Sequence, residues 1–322
     1  APAIEVDGLE KRFGDVEAVR GVDFQVRAGE TFGFLGPNGA GKSTTINMLC
    51  TLVRPTGGRA AVAGYDVVTR RDDVRREIGL VFQETTLDTY LTAAQNLRFH
   101  GQLYGVPGAQ LDARMRQVLE LVGLWERRDK DVSTFSGGMK RRLEIARGLL
   151  HSPRALFLDE PTVGLDPQTR ASIWEYLDEL RRQEDLTIFL TTHYMDEAEH
   201  CDRIAIMDAG RIVALDTPQA LKGAIGTDRI RLEVDDPAAA TAAITGRLGL
   251  DVTSEGGGLV LQVADGERFV PRLLANLGVG VRAVSVTRPS LDDVFMAYTG
   301  RTIRDADAAP GSDLAAMFRG RR

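Results

Sequence analysis

Apolar residues in the first part of this chain follow two patterns that predict different secondary structures. Four short and mostly apolar runs, at 30–35, 78–82, 155–158 and 186–190, predict strands that are buried on both faces, as in a parallel sheet. Residues 44–52 instead space their apolar side chains three and four apart, which predicts a helix. Strands and helices that alternate in this way indicate an α/β fold.

The segments before and between these runs have other patterns. Residues 3–30 alternate as short strands and turns, which predicts an antiparallel sheet at the N-terminus. Residues 84–134 carry helical patterns, so we expect a helical subdomain to be inserted there, over about 84–150. The expected turns are Asp7–Gly8, Gly14–Asp15 and Ala28–Gly29, and the expected helices include 91–104 and 111–122.

The last third of the chain predicts a second, smaller domain. Its pattern is strand 229–234, helix 237–247, strands 250–254 and 259–264, helix 267–277 and strand 281–287. This β-α-β-β-α-β order is typical of a ferredoxin-like α+β sandwich. We expect domains at 1–225 and 226–300, the second serving regulation, dimer contact or packing alone. The composition of 301–322 favours a disordered tail, with a membrane-surface contact as the alternative.

A glycine-rich segment follows the first buried run. It reads G-P-N-G-A-G-K-S-T and fits the P-loop pattern G-x-x-x-x-G-K-[ST], between a strand and a helix as that motif requires. Glycines let backbone N–H groups surround phosphate oxygens, and the helix N-terminus adds its dipole. We expect Lys42 to reach the β- and γ-phosphates and Ser43 to ligate Mg²⁺. The residues expected to bind nucleotide here are Gly36, Asn38, Gly39, Ala40, Gly41, Lys42, Ser43 and Thr44.

Polar residues end the other three buried runs. Asp159 follows one strand and is a candidate Mg²⁺ ligand, and Glu160 is placed to orient or deprotonate an attacking water. His193 follows another strand and is a candidate for γ-phosphate contact, while Gln83 is a candidate for metal and water contact. Because the carboxyl ends of parallel strands meet at one edge of a sheet, these groups predict one convergent site.

Composition narrows the possible partners. The net charge of −6 argues against a nucleic-acid partner, and the basic groups 127–128 and 140–142 are expected to be solvated helix faces or subdomain packing. The two cysteines cannot form a disulfide framework, which fits a reducing cytoplasm. Residues 3–6 suggest a strand rather than a signal peptide, and no apolar run reaches 18 residues.

The order of the motifs resembles one family, the ATPase subunits of ATP-binding-cassette (ABC) transporters. The matching segments are G-P-N-G-A-G-K-S-T, Gln83, F-S-G-G-M-K-R-R, L-F-L-D-E-P, G-L-D at 164–166 and His193, and they cover about residues 3–222. The resemblance implies a P-loop NTPase fold, with ATP as the nucleotide and Mg²⁺ as the metal. The serine–glycine–glycine signature separates this family from other P-loop NTPases.

The resemblance also implies that two copies close head to tail. ATP on the P-loop of one copy would be capped by Ser136, Gly137 and Gly138 of the other, and Asp166 would link the two sites. Glu160 would be the catalytic base and His193 the γ-phosphate sensor. The last nucleotide contact is Phe13, which stands where the family usually stacks a tyrosine on adenine; a phenyl ring still offers a face for stacking.

The segment R-P-S-L-D-D-V-F at 288–295 resembles the ending of daunorubicin-resistance-type exporter ATPases. It implies efflux of a drug-like, lipid or polyketide cargo through a separate multi-span permease, on the cytoplasmic face of the cell membrane. The surface expected to dock on that permease is 82–97. The alternatives are an importer ATPase and a soluble ABC ATPase of translation or DNA maintenance. The single cassette and the short spacing from Lys42 to Ser136 disfavour the soluble classes.

Overall fold

A computed structural model of the protein describes residues 2–184, 186–255 and 257–300. They form two compact units, one that ends at Pro218 and one that spans Gln219–Gly300. The boundary expected near 225 lies at the end of a helix, Pro218–Ile225. The expected tail, 301–322, lies outside the described residues. Within the described part of the chain, no helix is both long and apolar enough to cross a membrane.

The first unit contains a six-stranded sheet that includes the predicted buried strands. The strands of this unit are β1 Pro2–Phe13, β2 Val16–Arg27, β3 Thr31–Leu35, β4 Gly57–Val62, β5 Tyr65–Asp66, β6 Ile78–Val81, β7 Ala155–Asp159, β8 Thr187–Thr192, β9 Arg203–Asp208 and β10 Arg211–Asp216. The central sheet has the order β10-β9-β3-β8-β7-β6, and all its neighbours are parallel except β10 and β9. The four strands predicted from apolar runs are β3, β6, β7 and β8, so the prediction of a parallel sheet is confirmed.

Four phenylalanines pack together between the central sheet and the N-terminal sheet. Phe32 and Phe34 of β3, Phe189 of β8 and Phe24 of β2 have ring centroids 5.0–6.0 Å apart. All four are buried, and each contributes about 1.5–3 kcal/mol through removal of its ring from water. This cluster fixes β3, whose carboxyl end begins the P-loop.

The N-terminal sheet is antiparallel, with the order β2-β1-β4-β5, as predicted. The predicted turn at Gly14–Asp15 joins β1 to β2. The turn predicted at Asp7–Gly8 is wrong, because β1 continues through it with a shift of register. Gly8 has φ 54° and donates its N–H to Asp23 Oδ1 at 2.7 Å, so its conformational freedom serves a bulge rather than a reversal of the chain.

Helices surround the central sheet and form the inserted subdomain. They are α1 Lys42–Leu49, α2 Arg71–Glu77, α3 Ala93–Leu103, α4 Gly108–Leu121, α5 Gly137–Gly148, α6 Pro167–Glu184 and α7 Met195–Ala198. The helices predicted at 91–104 and 111–122 are α3 and α4. Thr92 and Gln95 begin α3 with a reciprocal capping box, which satisfies backbone donors that the helix leaves open.

The second unit has the predicted β-α-β-β-α-β order. Its elements are α8 Pro218–Ile225, β11 Asp228–Val234, α9 Pro237–Ala243 with a π turn at Ile244–Leu248, β12 Thr253–Glu255, β13 Gly258–Val263, α10 Gly266–Leu277, β14 Val281–Thr287 and α11 Leu291–Thr299. The antiparallel sheet has the order β12-β13-β11-β14. Residues Ile230, Leu232, Leu261 and Leu273 are central to its own core. The ferredoxin-like prediction is confirmed.

Candidate functional site

The P-loop lies between β3 and α1, where its glycines meet neighbouring backbone closely. A Cβ on Gly36 would lie 2.2 Å from the carbonyl oxygen of Met207, and one on Gly41 would lie 2.5 Å from that of Ala18. Gly41 also has φ 105°, which side chains with a Cβ rarely adopt. These two positions therefore require glycine for the loop to pack against the backbone of β2 and β9 at the start of α1.

Lys42 is held inside this loop. Its side chain is 4% exposed, and Nζ donates to the carbonyls of Gly36 at 2.7 Å and Pro37 at 3.0 Å. The same ammonium lies 3.6 Å from Glu160 Oε1. The cation is thus fixed between the P-loop backbone and Glu160, the acid that follows β7.

Asp159 and Ser43 form a second cluster of oxygen atoms. Asp159 Oδ1 accepts from Ser43 Oγ at 3.1 Å and from Thr191 Oγ1 at 2.5 Å. Burial raises the pKa of Asp159, and this effect outweighs the hydrogen bonds from Thr191 and Ser43, which lower it. A buried carboxylate beside a hydroxyl is a set of hard oxygen donors.

Glu160 stands in an unusual backbone conformation. It is 6% exposed and has φ 46°, in the left-handed region, which costs a residue other than glycine on the order of 1–3 kcal/mol. Its N–H donates to Thr191 Oγ1 at 3.0 Å, so Thr191 bridges the two acids. The surrounding structure therefore imposes the direction in which this side chain points.

Three polar side chains meet the Glu160 carboxylate. Lys42 Nζ lies 3.6 Å and His193 Nδ1 3.3 Å from Oε1, and Gln83 Nε2 donates to Oε2 at 3.4 Å. Burial acts to raise the pKa of Glu160, but the neighbouring His193 and Lys42 lower it further, so the pKa lies below its ordinary value. Glu160 is therefore ionised at neutral pH and can accept a proton.

The other predicted nucleotide contacts lie elsewhere in the unit. Ser136 caps α5, where its Oγ accepts from Met139 N–H at 3.3 Å. Asp166 caps α6 through hydrogen bonds from the backbone and hydroxyl of Thr169, which hold the pKa of Asp166 low. Phe13 ends β1 with Lys11 Nζ 4.7 Å from its ring.

The signature glycines differ in surroundings. Gly137 is exposed, whereas Gly138 is buried, and a Cβ there would lie 2.3 Å from Thr169 Cγ2. The resemblance to ABC ATPases implies glycines here because the backbone would approach phosphate closely. For Gly138 the structure adds another reason, which is the contact between α5 and α6.

Several buried charged residues were not predicted from the sequence, and Glu197 and Arg141 are two of them. Glu197 of α7 is 1% exposed and accepts from the Thr162 hydroxyl, and burial raises its pKa. Arg141 of α5 is 6% exposed, so solvation was the wrong expectation for it and packing the right one. An acid four residues after His193, on a short helix, was the available signal for Glu197. Arg141 gave none, because the backbone carbonyls that it binds, at 82 and 159–161, are distant in sequence.

Two family models match the chain. The ABC transporter family matches residues 19–163, and the C-terminal domain of DrrA1-3-like ATP-binding proteins matches residues 217–299. These two matches correspond to the two parts that the sequence pattern separates.

Curated relatives match over nearly the whole chain. The daunorubicin/doxorubicin resistance ATP-binding protein DrrA of Streptomyces peucetius is 42% identical over 94% of this chain and 94% of its own. The linearmycin resistance ATP-binding protein LnrL of Bacillus subtilis (strain 168) is 40% identical, over 94% and 100%. The Nod factor export ATP-binding protein I of Burkholderia lata is 40% identical, over 94% and 98%.

Solved structures match a length of chain close to that of the first unit. The cbiO1 protein of Clostridium perfringens, part of the ABC transporter complex cbiONQ, has a TM-score of 0.65 at 29% identity, over 68% of this chain and 90% of that one. A dimeric ATP-binding cassette in a post-hydrolysis state, bound to ADP and Pi, has a TM-score of 0.60 at 26% identity, over 66% and 98%.

Proposed function

The chain belongs to the ABC transporter family, as an exporter ATPase with a DrrA1-3-like C-terminal domain, and from this premise we propose that Glu160 is the general base of ATP hydrolysis. One observation carries the proposal. Three polar side chains from separate segments approach the carboxylate of Glu160 within 3.3–3.6 Å, at the carboxyl edge of the sheet. A base needs a fixed position and an ionised state, and both follow from these contacts.

In this proposal Glu160 accepts a proton from the water that attacks the γ-phosphate. Gln83 and His193 hold the two carboxylate oxygens, and His193 also faces the γ-phosphate as its sensor. Lys42, the P-loop N–H groups and the start of α1 bind the β- and γ-phosphates, because cations and unpaired N–H groups at a helix N-terminus favour anions. Phe13 stacks on the adenine.

Ser43 and Asp159 fit a Mg²⁺ site. Their oxygens already converge at 3.1 Å, and Mg²⁺ in nucleotide enzymes takes only one or two protein oxygens besides phosphate and water. Among the described residues no cluster of three or more His, Cys, Asp or Glu side chains could hold a metal by itself, which agrees with a metal held jointly with ATP. When bound, Mg²⁺ would neutralise phosphate charge, with Gln83 as a further contact.

A second copy of the chain completes the site. Ser136, Gly137 and Gly138 begin a helix whose N-terminus suits an anion, and Ser136 and Gly137 are exposed. We assign them to the γ-phosphate on the partner copy, with Asp166 as the link between the two sites. The dimeric, ADP-bound cassette among the solved structures supports a dimer as the assembly.

A separate membrane permease is the other proposed partner, which places the chain at the cytoplasmic face of the cell membrane. Of the apolar residues in the expected docking surface, Leu87 is buried, whereas Tyr90 is 93% exposed. Phe99 and Leu103 of α3 add exposed apolar surface at 60% and 67%. Exposed aromatic residues of this kind are enriched at protein interfaces.

The cargo class comes from the relatives. Their names refer to daunorubicin, doxorubicin, linearmycin and Nod factor. We propose a drug-like, lipid or polyketide cargo, with residues 1–225 as the motor domain and 226–300 as an accessory domain.

The test is to purify the tagged chain from detergent-solubilised native membranes and to identify its partners by mass spectrometry. We expect a stoichiometric multi-span protein, and ATPase activity that the Glu160→Gln variant lacks. Recovery from the cytosol without such a partner, but with ATPase activity, would favour a soluble ABC ATPase instead.

A further inference from the structure

Arg141 of α5 binds the backbone on both sides of the proposed base. Its guanidinium donates to the carbonyl oxygens of Phe82, Asp159, Glu160 and Pro161, at 3.2 Å for Asp159 and 3.3 Å for Glu160. The side chain is 6% exposed. One buried cation therefore joins the carboxyl end of β7 to the carbonyl that directly precedes Gln83.

The local geometry requires an arginine. Glu160 has φ 46°, and the three successive carbonyls at 159–161 all reach the one guanidinium. Arginine offers five donors in a planar fork, whereas lysine offers three from a single nitrogen. A side chain that holds these carbonyls together also holds the strained backbone that aims the Glu160 carboxylate.

The same face of α5 also holds the loop that carries Gln83. Glu144 is 1% exposed, accepts from Thr86 N–H at 2.8 Å and lies 3.2 Å from Arg141 Nη1. Arg147 donates to the Thr86 carbonyl at 3.0 Å. Phe82 and Thr86, on either side of Gln83, are thus both hydrogen-bonded to side chains of α5.

We propose that Arg141 is a positioning residue for ATP hydrolysis: it fixes the backbone of Asp159–Pro161 and of Phe82, and so sets Glu160 and Gln83 around the attacking water. The proposal rests on the proposed role of Glu160 as the base. Because Ser136 caps the same helix, a movement of α5 on closure of the dimer would also move the base.

The variants are Arg141→Ala and Arg141→Lys in the full chain, with Arg142→Ala as the matched control. Arg142 lies on the same helix and donates to the Val122 carbonyl at 3.0 Å and to the Tyr176 hydroxyl at 2.9 Å. Its loss therefore removes two side-chain hydrogen bonds of the same helix without touching Glu160 or Gln83. Arg141→Lys keeps the charge in case Arg141→Ala does not fold.

Amide hydrogen exchange tests the positioning directly and does not depend on activity. We expect both Arg141 variants to increase exchange in peptides that cover 159–165 and 82–86, and Arg142→Ala to leave these peptides unchanged. Unchanged exchange at 159–165 in a folded Arg141 variant would overturn the proposal.

Steady-state kinetics provides the second readout. We expect kcat to fall about 100-fold in Arg141→Ala, with partial recovery in Arg141→Lys and KM for ATP changed little, since the phosphate cradle is intact. Arg142→Ala should keep kcat within about threefold. Equal losses of kcat in Arg141→Ala and Arg142→Ala would make Arg141 a merely structural residue. If Glu160→Gln turns over normally, the proposed base is wrong, while the exchange result still decides what Arg141 holds.

Discussion

Lys42 and Glu160 form an ion pair in which Nζ lies 3.6 Å from Oε1 and both side chains are more than nine-tenths buried. Lys42 begins the helix after β3, and Glu160 follows β7, so the contact joins the phosphate cradle to the proposed base. A buried charge without its partner is costly, because neither water nor an opposite charge then compensates it. We therefore expect this pair to couple nucleotide binding and catalysis to the stability of the protein.

Replacement of Lys42 by alanine should lower both ATP affinity and stability. We expect a loss of stability on the order of 3 kcal/mol, since Glu160 keeps its charge in a buried site. In the double variant with Glu160→Gln the loss should be smaller than the sum of the single losses. Calorimetric melting of the four proteins measures this coupling.

The control for that cycle is Arg116→Ala. Arg116 pairs with Glu120 on the exposed face of α4, at 2.8 Å, with side chains 63% and 48% exposed. Such an exposed pair is screened by water and contributes little to stability. Additive losses at Lys42 and Glu160 would mean that the buried pair does not couple the two residues.

Glu160→Gln should keep ATP binding and lose hydrolysis. The amide cannot take a proton from water, so we expect turnover to fall at least about 100-fold, while Lys42 stays bonded to the carbonyls of Gly36 and Pro37. ATP should then trap a dimer, measurable by size-exclusion chromatography with light scattering. Glu175→Gln, at an exposed position of α6, is the matched control, and normal turnover in Glu160→Gln would remove Glu160 from the mechanism.

Asp159→Asn should lose activity but not stability. Burial raises the pKa of Asp159, so its contribution to stability is full below the unfolded value of about 3.9 and is lost as pH rises through the folded pKa. At neutral pH the uncharged amide of the Asp159→Asn variant avoids this loss of stability. A gain of 1 kcal/mol in the free energy of unfolding corresponds to roughly 2–4 °C in Tm. We expect Asp159→Asn to melt at or above the wild-type temperature at pH 7.5, with the advantage shrinking towards pH 4. A large drop in Tm at pH 7.5 would contradict this reading of the site.

The strand ends could be predicted from the sequence because their signals are local. An apolar run shows where a buried strand ends, and the carboxyl ends of parallel strands meet at one edge of the sheet. Asp159, Glu160 and His193 could therefore be predicted to lie close together. Arg141 could not be found in this way. Its acceptors at 82 and 159–161 are far along the chain, and a basic segment at helical spacing is equally consistent with a solvated face. The turn predicted at Asp7–Gly8 is wrong for a related reason. A glycine with positive φ suits a bulge as well as a turn, and the sequence does not separate the two.

The contact between Gly138 and Thr169 gives a prediction about the signature helix. A Cβ at 138 would lie 2.3 Å from Thr169 Cγ2, so Gly138→Ala should destabilise the protein by about 1–3 kcal/mol. Thr169→Ser removes that methyl group but keeps the hydroxyl that donates to Asp166. The double variant should therefore be at least as stable as Thr169→Ser alone, because alanine favours a helix over glycine by about 0.5–1 kcal/mol.

Thermal melting of the three variants tests this, and Gly137→Ala is the control because its Cβ would meet Leu165 Cδ2 at a milder 3.3 Å. Failure of Thr169→Ser to rescue Gly138→Ala would show that the methyl contact is not the cause. Turnover separates the two roles of the glycine. If the double variant is stable but does not form the ATP-bound dimer, then Gly138 is needed for phosphate contact across the dimer as well as for packing against α6. Recovery of both stability and turnover would leave packing as the reason that this position requires glycine.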